Sequence, residues 1–276
     1  MTLRLSRAAG SSVPVEVPGV TPDRLRDRSL AEIERVEVLH GNSKAALAEL
    51  FRVSGDLSDG RIEFDGDLGG VHHIGRGMTA GEIRVQGDAG RHLGAEMIGG
   101  VIRVEGNAGD WVGAEMKGGF IHIAGSAGDH AGAVYPGSRR GMTEGTILID
   151  GSAGNDLGVS MRRGLVAVGG SCGEAAGFGM IAGTILVFGS CGRYPGAEMR
   201  RGTIGLFGAD APRLLPTFRR AGRFRPLFLR LIAAELVRLG SPMARGFPEG
   251  ELTLYHGDLV SLGKGEVWFR DSGQRP

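Results

Sequence analysis

Between Gly60 and Gly208, apolar and polar positions alternate in one short phrase that recurs eight times, Gly-x-(Ile or Val)-x-(Val, Ile, Leu or Phe)-x-Gly. Its copies start at Gly60, Gly81, Gly100, Gly119, Gly145, Gly164, Gly183 and Gly202, at successive spacings of 21, 19, 19, 26, 19, 19 and 19 residues. Period-two alternation with β-branched residues on one face and glycine at both ends predicts a short strand between turns. The intervening half recurs too: Ala89-Gly90 with Gly94-Ala-Glu-Met97, Ala108-Gly109 with Gly113-Ala-Glu-Met116, and Cys191-Gly192 with Gly196-Ala-Glu-Met199. A fixed period near 20 residues without a helix-length apolar stripe predicts an all-β solenoid. Nineteen is not a multiple of six, so a left-handed hexapeptide helix is disfavoured. The expected fold is a right-handed parallel β-helix of about 19 residues per coil. Its seven to eight coils would stack roughly 4.8 Å apart into a rod of about 35 Å.

The flanks follow other patterns. Residues 1–55 are expected to form an amino-terminal cap, residues 56–210 the repeat domain, and residues 211–276 a carboxyl-terminal helix and short strands packing on it. Within the cap, residues 1–20 predict one or two edge strands, Thr21-Pro-Asp23 a short helix, Ile33–Leu39 a strand, and Ser43–Phe51 a helix with a serine cap. A cap is needed because an open end of stacked strands exposes unpaired backbone. Downstream, Pro226 to Gly240 reads as a helix, with Leu227, Phe228, Leu231, Ile232 and Leu236 apolar and Gly240 and Pro242 at its end. Leu252 to Val260 and Glu266 to Arg270 are strand-like.

Aligned columns account for the composition. Ala89, Ala108, Ala127, Ala153, Cys172 and Cys191 share one place, and Met97, Met116, Met142, Met161, Met180 and Met199 another. Both read as inward ladders, and the methionines as adaptable filler rather than a soft-metal site. Glycine, 51 of 276 residues, supplies corners that need positive φ. The two cysteines simply replace alanine in a ladder, which points to a reducing cytoplasm and excludes a four-thiolate iron–sulfur cluster on this chain alone. Stacked one coil apart, they could conceivably form a disulfide. A net charge of +1 gives no footprint for nucleic acid. No run of 18 apolar residues predicts a membrane span, and the first residues lack a signal-peptide core.

Candidate chemistry lies in departures from the repeat. One coil is seven residues longer, through Tyr135-Pro-Gly-Ser-Arg-Arg-Gly141, and insertions in solenoids form loops on one side. Arginine pairs stand at Arg139 and Arg140 in that loop, and at Arg162, Arg163 and Arg200, Arg201, which occupy identical positions two coils apart, with Lys117 in the first column of the pair. Together they outline a basic edge for an anion, a cofactor tail or an acidic partner, since aligned like charges repel unless something anionic meets them. His72 and His73 are neighbours on opposite faces, and His92, His122 and His130 read as separate columns, so no metal-binding spacing emerges. Glu96, Glu115 and Glu198 share a column and belong to the repeat. No catalytic triad, phosphate loop or dinucleotide fingerprint is present.

The repeat unit resembles the GXGXG β-helix domain at the carboxyl-terminal end of glutamate synthase. The flanks are more specific. His40-Gly-Asn, Leu50-Phe-Arg-Val-Ser-Gly55, Leu215-Pro-Thr-Phe-Arg-Arg-Ala-Gly-Arg-Phe224 and Tyr255-His-Gly-Asp258 with Gly263-Lys-Gly-Glu266 resemble the C-type subunit of the formylmethanofuran dehydrogenase family over nearly the whole chain. Lysine occurs only at 44, 117 and 264; arginine in its place suggests a high-GC bacterial genome, and with it the resemblance implies the formyltransferase/hydrolase branch of that family, that of methylotrophic bacteria. The resemblance implies a non-catalytic scaffold in a cytoplasmic hetero-oligomer that serves formaldehyde oxidation to formate. An amidohydrolase-type hydrolase subunit, a formyltransferase subunit and a further subunit would be its partners. Tetrahydromethanopterin and methanofuran or methylofuran would be the cofactors of the complex, none held tightly by this chain. Archaeal relatives add molybdenum or tungsten and iron–sulfur subunits. The family offers no catalytic residue to carry over. The other readings are the structural domain of a glutamate-synthase-like amidotransferase, a subunit of a true molybdenum or tungsten dehydrogenase, and a polysaccharide-active β-helix enzyme. The last is disfavoured by the missing signal and by 6% aromatics.

Overall fold

In the computed structural model, which describes residues 2–7, 12–210 and 213–270, every copy of the phrase is a strand. The strands run Arg61–Gly66, Glu82–Val85, Val101–Val104, Lys117–Ile123, Glu144–Ile149, Leu165–Val168, Thr184–Val187 and Arg201–Leu206. Each pairs in parallel with the next at the equivalent residue, so one ladder reads Ile62, Ile83, Ile102, Ile121, Ile147, Val166, Ile185, Ile204. Leu3 extends it at one end and Val267 at the other, and all ten side chains are fully buried. The chain is mostly β, with one 13-stranded sheet and a second of four strands. Residues 1, 8–11, 211–212 and 271–276, parts of the expected cap and carboxyl-terminal region, lie outside the described residues.

The other half of each unit is held by single bridges, Ala89 to Ala108 to Ala127 and Ala153 to Cys172 to Cys191. Short polar side chains reinforce them. The backbone N–H of Asn107, Ser126, Ser152, Ser171 and Ser190 each donates to the side-chain oxygen of the residue one unit earlier, at 2.7–3.1 Å. Such stacking leaves no room for Cβ where the backbones approach: one at Gly189 would lie 2.6 Å from Gly170 C and O. Met97, Met116, Met142, Met161, Met180 and Met199 are fully buried, as expected, and Met78 joins them. Cys172 and Cys191 are free thiols with Sγ atoms 3.4 Å apart.

The amino-terminal elements differ from expectation in three places. Leu3–Arg7 is no edge strand: it lies inside the large sheet, parallel to Arg61–Gly66 and antiparallel to Arg52–Ser54. The expected strand Ile33–Leu39 begins as a helix, Leu30–Glu34, because Ser29 and Glu32 form a reciprocal capping box; the strand proper is Glu37–His40. The expected helix from Ser43 starts as a strand, Ser43–Ala46, and only Leu47–Leu50 is helical. His40 faces Ser43 across a two-residue Gly41-Asn42 turn with Gly41 at φ +58°, and this hairpin overrides the helix propensity. Pro22–Leu25 is the short helix foreseen.

At the other end Lys264–Phe269 adds a parallel strand to Arg201–Leu206, and Leu252–Gly257 and Arg219–Phe224 close the sheet antiparallel. The helix Phe228–Arg238 covers the outside of the sheet, with Phe228 and Ile232 among the expected apolar positions packed against it. It buries Leu229 and Leu236, whereas Leu227 and Leu231 are 68% and 76% exposed. The sheet dictates this position. Its outer column runs Glu63, Arg84, Arg103, His122 and then turns apolar at Leu148, Ala167, Leu186, Gly205 and Trp268. Leu148, Ala167, Leu186, Phe207 and Trp268 form the second core with the helix.

Placing a carboxylate in the inner ladder is expected to cost more than about 4 kcal/mol, because it is desolvated without a partner. Ile185→Asp should therefore give no cooperative melting transition. Leu231→Asp on the exposed helix face should stay within about 0.5 kcal/mol of wild type in urea titration.

Candidate functional site

Arg162-Arg163 and Arg200-Arg201 leave the repeat at the same corner, just after the buried Met161 and Met199, where Arg162 N–H donates to Met142 O and Arg200 N–H to Met180 O, both at 2.8 Å. Two strand spacings separate the pairs, about 10 Å. All four arginines are exposed and, among the described residues, make no ion pair. Register adds Lys264 beside Arg201, a member that sequence spacing did not reveal because Lys264 follows the last repeat. At the far end of the edge the charge is balanced. Lys117 pairs in register with Glu144, and both line an open groove of about 490 Å³ with Ile98, Thr146, Leu165 and the helix residue Glu235.

Arg139 and Arg140 are also exposed, but they precede Met142 instead of following it, so they hang from the opposite side of the methionine corner. Their loop is pinned. Gly141 N–H donates to Ser160 O at 3.1 Å, and Tyr135 N–H donates to Glu115 Oε1 at 3.1 Å. The Tyr135 ring folds back over earlier units, 5.6 Å from the ring of His92 and 5.0 Å from that of Trp111, with its hydroxyl 2.7 Å from His92 Nδ1.

This exposes a column that the sequence reading missed. His92 and His130 do not lie in separate columns. With His73 and Trp111 they recur every 19 residues, all at φ of 62–66°. Their rings stack: His73 on His92 at 4.5 Å, His92 and Trp111 at 6.3 Å, and Trp111 on His130 at 4.1 Å, with interplanar angles of 8–21°. The spacing is regular, but Trp111 stands between His92 and His130, so the column carries no run of metal ligands. His122 stands apart on the outer sheet face, 2.9 Å from Asp150 Oδ2. His72 and His73 do diverge, with His72 Nδ1 accepting from Arg91 N–H at 3.0 Å. Among the described residues no group of three His, Cys, Asp or Glu side chains could hold a metal ion.

At the His73–His92 end of the stack both imidazoles are held neutral at physiological pH. Burial, with Arg76 and His72 adding to it, pushes His73 down to about 4, and burial and the neighbouring His73 do the same to His92. Burial raises the Tyr135 hydroxyl to about 12. Charge returns one corner further on, where Arg76 pairs with Glu96 at 2.8 Å. The arrangement offers three surfaces: a cationic corner, a ring wall, and a tethered loop carrying two arginines.

The GXGXG motif family matches residues 69–213, which is 145 of the 276 residues. The chain belongs to this family. Among other GXGXG-containing proteins it is a homologue of the C-type subunit of formylmethanofuran dehydrogenase. That subunit of the tungsten-containing formylmethanofuran dehydrogenase 2 of Methanothermobacter thermautotrophicus is 40% identical over 80 residues, 28% of this chain and 30% of the relative. Its counterpart in the molybdenum-containing formylmethanofuran dehydrogenase 1 of the same organism is 42% identical over 79 residues, 28% of this chain and 20% of the relative. These matches span less than a third of the curated relatives. A chain in the crystal structure of the formyltransferase/hydrolase complex from Methylorubrum extorquens with methylofuran is 36% identical, with a TM-score of 0.90. That likeness covers 97% of this GXGXG chain and 99% of the other.

The depressed histidines predict an acid-labile wall. An unfolded histidine takes up a proton near pH 6.5, whereas folded His73 and His92 resist until about 4. The unfolded state therefore binds more protons between those values, and stability falls as pH drops from about 6.5 to 4. Chemical denaturation of His73→Gln/His92→Gln should show a shallower decline over that window than wild type.

Proposed function

We propose that this chain is the non-catalytic scaffold subunit of a formyltransferase/hydrolase complex in tetrahydromethanopterin-linked one-carbon metabolism, where formaldehyde is oxidised to formate. The carrying observation is the likeness to a chain of the Methylorubrum extorquens complex, 36% identical and spanning nearly all of both chains. A glutamate-synthase-like domain would account for the repeat but not for the likeness through both flanks. In this reading the tungsten and molybdenum chemistries of the locally similar enzymes belong to other subunits.

In this reading the units wind as a right-handed parallel β-helix, since crossovers between parallel strands of one sheet are right-handed. Residues 1–55 cap it, residues 56–210 form the repeat, and residues 211–276 close it. The partners are an amidohydrolase-type hydrolase, a formyltransferase and a further subunit, in the cytoplasm. Methylofuran or methanofuran carries the formyl group between them. Among the described residues no helix is long and apolar enough to cross a membrane.

Arg162, Arg163, Arg200 and Arg201, with Arg139 and Arg140 on the pinned loop, meet an anionic group: a glutamate-rich carrier tail or an acidic partner surface. Guanidinium groups pair with carboxylates through two parallel hydrogen bonds. A tail held along a rigid edge keeps its carrier near separated active sites by raising its effective concentration.

Co-expression with the hydrolase-type and formyltransferase-type subunits of the same organism, followed by affinity purification and mass spectrometry, should recover one complex. A stable monomer that binds neither would overturn the scaffold reading. Changing Arg162, Arg163, Arg200 and Arg201 to Gln should weaken carrier retention or assembly about tenfold or more, and the defect should deepen with salt. The melting temperature should hardly move, because exposed charges add little stability. Wild-type assembly, turnover and carrier content in that variant would make the edge a solvated corner.

A further inference from the structure

Two flanking motifs, Leu215-Pro-Thr-Phe218 and Tyr255-His-Gly-Asp258 with Gly263-Lys-Gly-Glu266, have so far no role beyond closing the sheet. They interlock to build one loop. Asp258 is its keystone, only 4% exposed. Its Oδ2 accepts from Glu198 N–H and its Oδ1 from Val260 N–H, both at 3.1 Å. Its backbone carbonyl accepts from the N–H groups of Ser261, Leu262 and Gly263 at 2.9–3.1 Å, and its own N–H donates to Met199 O at 3.2 Å. Leu259 N–H donates to Thr217 O at 3.2 Å. Gly263 completes the turn at φ +69°. The Phe218 ring fills the space beside Gly257.

This dense bonding serves a surface that gains nothing from it in the isolated chain. The loop tip presents Leu259, Val260 and Leu262, which are 49%, 80% and 46% exposed. Single exposed apolar side chains are ordinary, but three on one preorganised turn form a patch. A rigid projection loses little entropy when it is covered, which is what a recognition element needs. Its surroundings narrow the choice of what covers it. The segments that hold its base carry the exposed cations Arg200, Arg201, Arg219, Arg220 and Lys264, against the exposed carboxylate of Glu198 and the half-buried one of Glu266, which accepts from the Trp268 indole N–H. A second copy of this chain would bring the same cations and be repelled.

The geometry points to residues 259–262 as a docking finger that inserts into an apolar cleft bordered by carboxylates on a partner subunit. The finger supplies apolar burial, and the ring of cations sets its orientation and on-rate. This rests on the scaffold reading and deepens it: it names which part of the chain enters the partner and what the partner must offer.

The test uses the full chain co-expressed with the hydrolase-type and formyltransferase-type subunits of its organism. The variants are Leu259→Asn/Val260→Asn/Leu262→Asn, and Val260→Leu as the conservative control. The triple variant should keep the wild-type melting temperature and lose affinity for one partner subunit by about 100-fold, since three apolar side chains stay in water. Val260→Leu should bind within about threefold of wild type. A photo-crosslinker at position 260 should attach to that same subunit, in an apolar cleft with Asp or Glu at its rim. A triple variant that folds and binds as wild type does overturns the finger while leaving the scaffold reading intact. Concentration-dependent dimers of wild type that the triple variant abolishes overturn it too, since the finger then meets its own kind. If wild type binds neither subunit, the scaffold reading fails first and the finger falls with it.

Discussion

Everything in this chain depends on equivalent residues meeting one another in register. From Leu3 to Val267, ten buried branched side chains lie in one ladder, each stacked on a shape like its own. The same constraint orders the polar side. Serine, asparagine and aspartate side chains reach from one unit to the next N–H, satisfying donors that a single bridge per unit would leave unpaired. Glycine recurs because close stacking excludes Cβ at particular corners, not because the chain needs to be flexible there. Order in the interior thus comes from repetition, and a substitution in one unit is felt by both of its neighbours.

Outward columns escape this constraint and carry the differences. On the outer face of the strands the early units are charged and the later ones apolar, and the helix Phe228–Arg238 covers only the latter. At the next corners, ring-bearing positions form the His73–His130 stack, and arginines follow two of the buried methionines. The seven-residue insertion joins two of these surfaces. Its tyrosine lies on the ring stack while its arginines stay in water. A stack with a repetitive inside and a varied outside can carry different chemistry on different faces without any change in core energetics.

How much of this was legible depended on whether a feature was periodic. The strands, the inward ladders and the arginine pairs follow from spacing alone. The ring column was periodic as well, yet Trp111 between His92 and His130 obscured it when the histidines were weighed as ligands. The flanks were harder, because local propensity competes there with pairing. Ser43–Phe51 has helical composition but forms half a hairpin, and Leu30–Glu34 became a helix through the Ser29–Glu32 capping box. The covering helix follows from its own pattern at Phe228, Ile232 and Leu236, which pack on the sheet, but not at Leu227 and Leu231, which stay exposed. The surface that selects among its apolar positions is made by Leu148, Ala167 and Leu186, residues far away in the chain. The closing loop at Asp258 was visible only as a motif, since its hydrogen bonds join Met199, Glu198 and Thr217 across long separations.

The antiparallel strands that close both ends of the parallel sheet have a metric consequence. Arg52–Ser54 finishes one end and Leu252–Gly257 with Arg219–Phe224 the other, so the stack has a defined number of layers. Distances between attachment points along it are multiples of one inter-strand step, about 4.8 Å. Inserting or removing a whole 19-residue unit would shift everything beyond it by one such step and keep every column on its face. A fraction of a unit would rotate columns out of line. The length of such a stack can therefore change in discrete increments of one strand while its columns keep their faces.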